Sequence, residues 1–217
     1  LHLPGKPDPD LRGFESENIQ VLQTIRHDKK LRPGVLRGNL FRIHLRDIQQ
    51  SRDLDLRLQQ ISQLGVPNYF GPQRFGRNGN NVREALALFA RPAPESRPQP
   101  KKSKRKQAPR EQNSMELSAA RSLIFNEILA ARVRDGSWNT GLAGEVFNLD
   151  GSGSIFASEA IDETLQARLA SGDIHPTAVL WGVGNDKVSG AAAAIENDIV
   201  QKSPLLSQLA AGLETRD

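Results

Sequence analysis

The sequence predicts an α+β fold on three observations. Stretches that alternate apolar and polar residues, as strands do, lie among stretches in which apolar residues recur every three or four positions, as in amphipathic helices. Gly-rich turns join neighbouring strand-like stretches, which is typical of antiparallel hairpins. With 217 residues, 37% of them hydrophobic and 25% charged, the chain can bury one good core or two modest ones.

Two strand-like stretches precede the first predicted helix, at residues 18–26 and 39–48. The second stretch places four residues on one face, namely Asn39, Phe41, Ile43 and Leu45. Successive strand residues point to opposite sides, so these four share one side of the strand. Because an amide leads an otherwise apolar face, we expect Asn39 to face a cleft and the later residues to face a core.

Helical periodicity predicts six helices, at 51–64, 80–90, 115–136, 159–170, 190–201 and 203–213. The first helix is predicted to begin at Ser51 as N-cap and to bury a stripe of Leu54, Leu58, Ile61 and Leu64. The second is predicted to bury Val82, Ala85, Leu86 and Phe89, with Asn80 or Asn81 as its cap. The third is predicted to bury Leu117, Ala120, Ile124, Ile128 and Ala131 and to end at Gly136. Residues 145–156 predict a hairpin, and residues 175–182 predict a further strand.

The segment 91–113 has the composition of a mobile linker or loop. It holds five of the thirteen prolines and eight Lys and Arg against two acidic residues. Such a segment cannot pack a core. It acts either as a solvated tether or as a cationic arm that draws in a polyanion, and the sequence leaves both alternatives open.

The charge of the chain is divided along its length. The net charge is +4, but residues 135–217 hold four basic against twelve acidic residues. A polyanion would therefore be attracted to the first 134 residues and repelled by the rest. Charge differences of this kind also serve solubility, so the division alone does not establish a nucleic-acid partner.

The sequence predicts a cytoplasmic protein that does not enter a membrane. It contains no cysteine, which fits a reducing compartment and excludes a disulfide frame or a thiol nucleophile. No apolar run approaches the roughly 20 residues of a membrane span, and the first residues lack a signal-peptide core. Leu1 is not an initiator methionine, so we expect the chain to be a piece of a longer protein.

Several motifs of other function classes are weak. Residues 148–159 match the ligand spacing of a calcium loop, but glycines stand where the preceding helix is needed, which favours a simple glycine hairpin. The Gly-x-Gly pairs do not connect a strand to a helix, as a nucleotide fold requires. The four histidines are scattered, and no metal site is predicted from them.

Two blocks have the composition of an RNA-binding surface. Residues 26–41 read RHDKKLRPGVLRGNLF, and residues 65–76, which we call the aromatic loop, read GVPNYFGPQRFG. Basic side chains suit phosphates, aromatic rings stack on bases, and glycines allow close backbone approach. The alternative is a Gly-rich turn that packs its own rings.

The same blocks resemble the tRNA pseudouridine synthase D (TruD) family. The first block is similar to the family's R-H-x-x-K-L-x-x-G-x-L-x-G-N-x-F, and the aromatic loop to its G-V-P-N-Y-F-G-x-Q-R-F-G. A third motif, L-S-A-A-R-S-x-x-F-N, is matched by residues 117–126. The similarity extends from the first residues to at least Ala178.

The resemblance implies a cofactor-free isomerase that converts uridine to pseudouridine in tRNA, in the family at position 13. It implies that an aspartate attacks the flipped nucleotide, and that the uracil turns and rejoins through C5. The family's nucleophile lies in a G-x-K-D-x-x-A-x-T-x-Q segment that this sequence lacks. No catalytic residue is therefore predicted in the chain, and we expect the chain alone to be inactive.

The resemblance also implies the domains and the substrate contacts. Residues 1–64 would be part of the catalytic sheet domain, and residues 65–217 an α+β insertion, the TRUD domain. Asn39 and Phe41 are expected to contact the target nucleotide. Supporting RNA contacts are expected from four residues, namely Lys30, Arg37, Tyr69 and Arg74, the last two also suiting loop packing. The alternatives are a noncatalytic RNA-binding protein that kept the scaffold and a calcium-binding interaction domain.

Overall fold

The structure is a computed structural model, which describes residues 10, 11, 13, 15–23, 40–44, 46–48, 53–91, 109–184 and 187–216. The chain forms two compact units, residues 1–52 and residues 53–217. Among the described residues, no helix is long and apolar enough to cross a membrane.

The described part of the first unit contains little regular structure. Ser16 and Ile19 form an isolated antiparallel bridge through two backbone hydrogen bonds of 3.0 and 3.1 Å. Residues 20–23, 40–44 and 46–48 belong to no strand. The strands predicted at 18–26 and 39–48 are therefore wrong for these described residues. Alternating hydrophobicity indicates a half-buried face, but a strand also needs a partner for its backbone groups, and apart from the Ser16–Ile19 bridge no described residue pairs with these stretches.

The second unit contains six helices and three strands among its described residues. The helices are α1 (Leu54–Leu64), α2 (Asn80–Phe89), α3 (Pro109–Arg134), α4 (Glu163–Ala170), α5 (Gly190–Lys202) and α6 (Pro204–Arg216). The strands are β1 (Glu145–Leu149), β2 (Ile155–Ser158) and β3 (Ile174–Pro176). This mixture of helices with a small antiparallel sheet is the predicted α+β class.

The core of the second unit lies among α2, α3, α5 and α6. Its fully buried members are apolar residues of α2, α3 and α6, and α5 adds Val200, which is 5% exposed; the fully buried residues are Ala85, Ala120, Ile124, Ile128, Leu209 and Leu213. The predicted faces of α2 and α3 supply the first four of them. Burial of apolar surface of this kind is the main term that favours folding.

The sheet has the order β2-β1-β3, and both pairings are antiparallel. Phe147 on β1 is fully buried and lies 5.5 Å from the Phe156 ring of β2. The turn between β1 and β2 includes Gly151 at φ 66°, a conformation that glycine adopts without strain. The glycine hairpin predicted from the sequence is confirmed.

The sheet is fastened to α5 by a close approach of two backbone segments. Gly144, at φ 81°, lies against the backbone of Ser189, and a Cβ at position 144 would overlap the Ser189 carbonyl group. Ser189 N–H donates to the Gly144 carbonyl at 2.9 Å, and Ala192 N–H donates to the Ala143 carbonyl at 3.1 Å. These bonds hold the start of α5 against the start of β1.

Three elements differ from their predictions. No residue of α1 is buried, and Leu58, Ile61 and Leu64 are each about half exposed, so the prediction of a core helix is wrong. The helix α3 begins at Pro109, inside the predicted linker 91–113, because Pro is well suited to the first turn of a helix. The last strand ends at Pro176; the Thr177 N–H still donates to the Val146 carbonyl at 3.0 Å, but the Val179 N–H donates to the Glu196 carboxylate at 3.0 Å and not to a strand.

Candidate nucleic-acid interface

The aromatic loop runs between two glycines with left-handed backbone conformations. Gly65 has φ 73° and ends α1, and Gly76 has φ 72°. Between them the chain passes through a short 3-10 turn, Pro72–Phe75. A Cβ at Gly76 would lie 2.6 Å from Asn81 Oδ1. Residues that carry a side chain rarely adopt this backbone conformation, so glycine is required at both ends of the loop.

The middle of the loop is held by one side chain of α3. Asn126 Oδ1 accepts a hydrogen bond from Phe70 N–H at 2.9 Å, and Asn126 Nδ2 donates to the Phe70 carbonyl at 2.9 Å. A carboxamide is suited to this task because it carries a donor and an acceptor side by side. It satisfies both backbone groups of Phe70, whereas the backbone bonds within the loop are local, such as Tyr69 N–H to the Pro67 carbonyl at 3.1 Å.

The Phe70 side chain is enclosed by two groups. The Phe125 ring lies edge-on to it, with 5.3 Å between centroids and an interplanar angle of 76°. The Arg74 guanidinium lies over the Phe70 ring, 5.4 Å from its centroid. Arg74 also donates to Ser118 Oγ at 3.2 Å, and its carbonyl accepts from Asn81 Nδ2 at 3.1 Å. Edge-to-face rings and cation–π contacts both favour such an arrangement.

These contacts give Tyr69 and Arg74 different surroundings. Tyr69 precedes the fixed Phe70 and remains 42% exposed, so its ring is accessible to a ligand. The Arg74 guanidinium takes part in loop packing, which is one of the two roles the sequence left open for it. A phosphate contact by Arg74 stays a prediction.

The other predicted contact residues belong to the first unit. Phe41 is described and is 78% exposed. Asn39, Lys30 and Arg37 lie outside the described residues. Their RNA contacts therefore stay predictions.

A cleft of about 1080 Å³ lies in the second unit beside the aromatic loop. Its walls are the end of α1 with residues 65–68, the middle of α3, residues 138–141, the end of α4 and strand β3. Carboxamide side chains are frequent in the lining, namely Gln63, Asn68, Asn139, Asn148 and Gln166. None of the described lining residues is Asp or Glu.

A buried ion pair supports one wall of this cleft. Arg132 of α3 forms an ion pair with Glu145 of β1, in which Nη1 donates to Oε1 at 2.9 Å and Nη2 lies 2.8 Å from Oε2. The side chains are 6% and 1% exposed. Arg132 Nη2 also donates to the carbonyls of Ser137 and Thr140 at 2.8 and 2.9 Å. One guanidinium thereby joins α3, the following loop and the sheet.

Burial raises the pKa of the Glu145 carboxyl above its ordinary value, and the charge and hydrogen bonds of Arg132 oppose this rise. Taking a carboxylate out of water disfavours its charged form, whereas a neighbouring cation favours it. Arg132 is therefore the group that keeps Glu145 compatible with its buried position.

The segment 148–159, which matches the spacing of a calcium loop, forms the end of β1, the hairpin turn and β2. Asn148 Nδ2 points back to the carbonyls of Ser152 and Ser154, at 3.4 Å each. Among the residues that the structure describes, no three or more His, Cys, Asp or Glu are grouped so as to hold a metal ion. The hairpin turn is instead closed by its own hydrogen bonds.

Comparison with known proteins places these features in a family. The family model for tRNA pseudouridine synthase D (TruD) matches residues 4–91 and 93–209. The chain belongs to the TruD family. The tRNA pseudouridine synthase D of Psychrobacter arcticus is 64% identical over an alignment of 242 positions, which covers 100% of this chain and 60% of that protein.

Further TruD relatives agree with this result. The tRNA pseudouridine synthase D of Methylococcus capsulatus is 47% identical and covers 90% of this chain. That of Xanthomonas euvesicatoria is 44% identical and covers 99% of it. The chain spans 52% and 58% of these two relatives, so it corresponds to little more than half of their length.

Sequence reasoning missed the residues that organise this TruD chain. Asn126 was part of the third motif, but nothing in the sequence indicated that it bonds to Phe70, 56 residues away. The ion pair of Arg132 and Glu145 was not anticipated either. An arginine on the apolar side of a periodic helix, one turn from the buried Ile128 and Leu129, is the signal that could have indicated it.

The contacts of Asn126 predict the stability of the loop. We expect Asn126→Ala to lower the free energy of unfolding by about 1–3 kcal/mol, because it leaves the Phe70 N–H and carbonyl without partners. Asn126→Asp should lower the free energy of unfolding by a similar amount, because a carboxylate oxygen would then face the Phe70 carbonyl oxygen. Urea denaturation measures both. The control Ser118→Ala removes only an exposed hydrogen bond and should change the free energy of unfolding by no more than about 0.5 kcal/mol. If Asn126→Ala changed it by as little as this control, the Asn126 amide would not hold the loop.

The buried ion pair predicts a pH-dependent defect. We expect Arg132→Met to cost about 3–5 kcal/mol near neutral pH, because Glu145 is left charged and buried. Its pKa should then rise further, so the folded state binds a proton more tightly than the unfolded state, whose carboxyl keeps a pKa near 4.5. The loss of stability caused by Arg132→Met should therefore be largest at pH values above the raised pKa of Glu145, and it should decrease as the pH falls toward 4.5.

Thermal and urea unfolding of Arg132→Met between pH 7 and about 5 measure this trend. The double variant Arg132→Met with Glu145→Gln is the control, because it removes both charges. Its defect should be smaller than that of Arg132→Met and independent of pH in this range. A single variant whose defect is constant with pH would refute the assignment to Glu145.

Proposed function

We propose that this chain is the part of a tRNA pseudouridine synthase that positions tRNA for isomerisation of uridine 13. The observation that carries the proposal is the contact between two family motifs, the aromatic loop and residues 117–126, through Asn126. The name of the Psychrobacter relative, which is similar along the whole of this chain, supports tRNA as the substrate. The reaction would proceed without a cofactor.

The chemistry requires a nucleophile that this chain does not supply. An aspartate carboxylate outside the chain would attack the flipped uridine, the bond between C1′ and N1 would break, and the uracil would turn. A new bond from C5 to C1′ would release the carboxylate, and the proton on C5 would be lost as N1 gains one. Uracil is isomerised with no net gain or loss of atoms.

The chain would contribute contacts with the RNA. Asn39 and Phe41 would contact the target nucleotide, and the exposed Phe41 ring suits stacking on an unstacked base. Lys30 and Arg37 would bind phosphates, and Tyr69, with Arg74 behind it, would support the RNA from the aromatic loop.

Conversion of unmodified tRNA by the full-length protein tests the proposal. Carbodiimide modification followed by primer extension detects pseudouridine at position 13. Conversion there, without added metal or cofactor, is the expected result. Tight binding of tRNA with no conversion would instead favour the noncatalytic RNA-binding alternative.

Asn39 provides a sharper test of the proposed site. In the full-length protein we expect Asn39→Ala to lower single-turnover isomerisation far more than it lowers tRNA binding, because a contact with the target nucleotide matters most in the transition state. Gln59→Ala, an exposed amide of α1, is the matched control and should affect neither. Equal losses of binding and isomerisation by Asn39→Ala would remove Asn39 from the chemistry.

The basic segment predicts the salt dependence of tRNA binding. Deleting residues 101–106 removes five Lys and Arg, so binding should weaken and its dependence on salt should become less steep as fewer counterions are released. Filter binding between about 50 and 200 mM salt measures the slope. A Gly/Ser segment of equal length should behave like the deletion, and an unchanged slope would mean that the segment is only a tether.

A further inference from the structure

The cleft beside the aromatic loop presents hydrogen-bond donors without partners. The Trp138 indole N–H and the Asn139 carboxamide line the cleft and form no hydrogen bond within the part of the chain that the structure describes. A half-buried indole N–H normally finds an acceptor. The cleft is therefore suited to a ligand that offers acceptor atoms.

The charges around the cleft favour a ligand group that is itself neutral. No described lining residue is acidic, and the charge of Arg132 is already matched by Glu145. Residues 135–217, which form much of the cleft, carry twelve acidic against four basic residues. A phosphate-rich backbone would be repelled from this region, whereas a nucleobase has carbonyl acceptors and no charge.

The lining also fits the mixed polarity and the flat shape of a base. Asn68 and Gln166 each offer a donor and an acceptor, as the edges of bases do. The half-buried Trp138 ring provides a stacking surface. The volume of about 1080 Å³ slightly exceeds the range for small-molecule sites, roughly 300–1000 Å³, and accommodates a base together with its ribose.

The position of the cleft connects it to the proposed RNA contacts. Residues 65–68 form part of its rim and lead directly into the exposed Tyr69. We propose that the cleft binds the base and ribose of one unstacked nucleotide of the tRNA, other than the target uridine, with the base against Trp138 and the phosphates outside the cleft. This inference rests on the proposed function, since it takes tRNA as the ligand.

Substitutions at Trp138 in the full-length protein test the stacking contact. We expect Trp138→Leu to raise the Kd for tRNA about tenfold, the size of effect that loss of one stacked base produces. Trp138→Phe should restore most of the affinity, because it keeps a ring. Trp181→Phe is the control, because the Trp181 indole donates to Glu214 outside the cleft and its replacement should leave the Kd unchanged. Thermal melting confirms that each variant is folded.

Photocrosslinking locates the nucleotide. In tRNAs that carry 4-thiouridine at single unpaired positions, we expect one position to crosslink to the peptide containing Trp138 and Asn139. Normal pseudouridine formation, with no crosslink in the cleft and an unchanged Kd for Trp138→Leu, would overturn the inference and leave the proposed function standing. If the peptide that contains Trp138 and Asn139 were protected from labelling reagents in the RNA-free full-length protein, another segment of that protein would occupy the cleft. This result would also overturn the inference. Absence of any conversion of tRNA would instead contradict the proposed function.

Discussion

The order of the aromatic loop depends on the carboxamide of Asn126. The loop is rich in Gly and Pro and forms only a short 3-10 turn, so its own backbone bonds cannot define its path. The helix α3 is long and packed on the core, and its Ile124 and Ile128 are fully buried. Because Asn126 bonds to both backbone groups of Phe70, it fixes the middle of the loop to that helix. The accessible face of Tyr69 is a consequence of this attachment.

The same helix carries the electrostatic link to the sheet. Arg132 lies further along α3 and binds Glu145 of β1, both nearly inaccessible to water. Buried ion pairs contribute little net stability, but they penalise arrangements in which one partner is left alone. The pair thus specifies how the sheet and its preceding loop meet α3. Since these elements wall the cleft, the shape of the cleft depends on a pair that does not itself need to contact a ligand.

The sequence predicted elements whose signals are local. The periodicity of α3 placed Ala120, Ile124 and Ile128 in the core, where all three are fully buried, and a Gly-rich turn predicted the hairpin. Prediction failed where a distant partner decides the outcome. An apolar stripe cannot indicate whether anything covers it, so α1 was assigned to the core although none of its residues is buried. The partners of Asn126 and Arg132 depend on tertiary packing, and for Arg74 the sequence could not choose between a ring and a phosphate.

The bonds of Asn126 have a consequence for how the loop can be exchanged between proteins. Both bonds end on main-chain atoms of Phe70, so they impose a backbone path and not a side chain at that position. A loop of the same length and glycine placement, grafted from a relative, would meet the same anchor provided that the host helix supplies the carboxamide. The loop and the helix are therefore a modular pair, in which the exposed side chains of the loop can diverge while its backbone path stays constant.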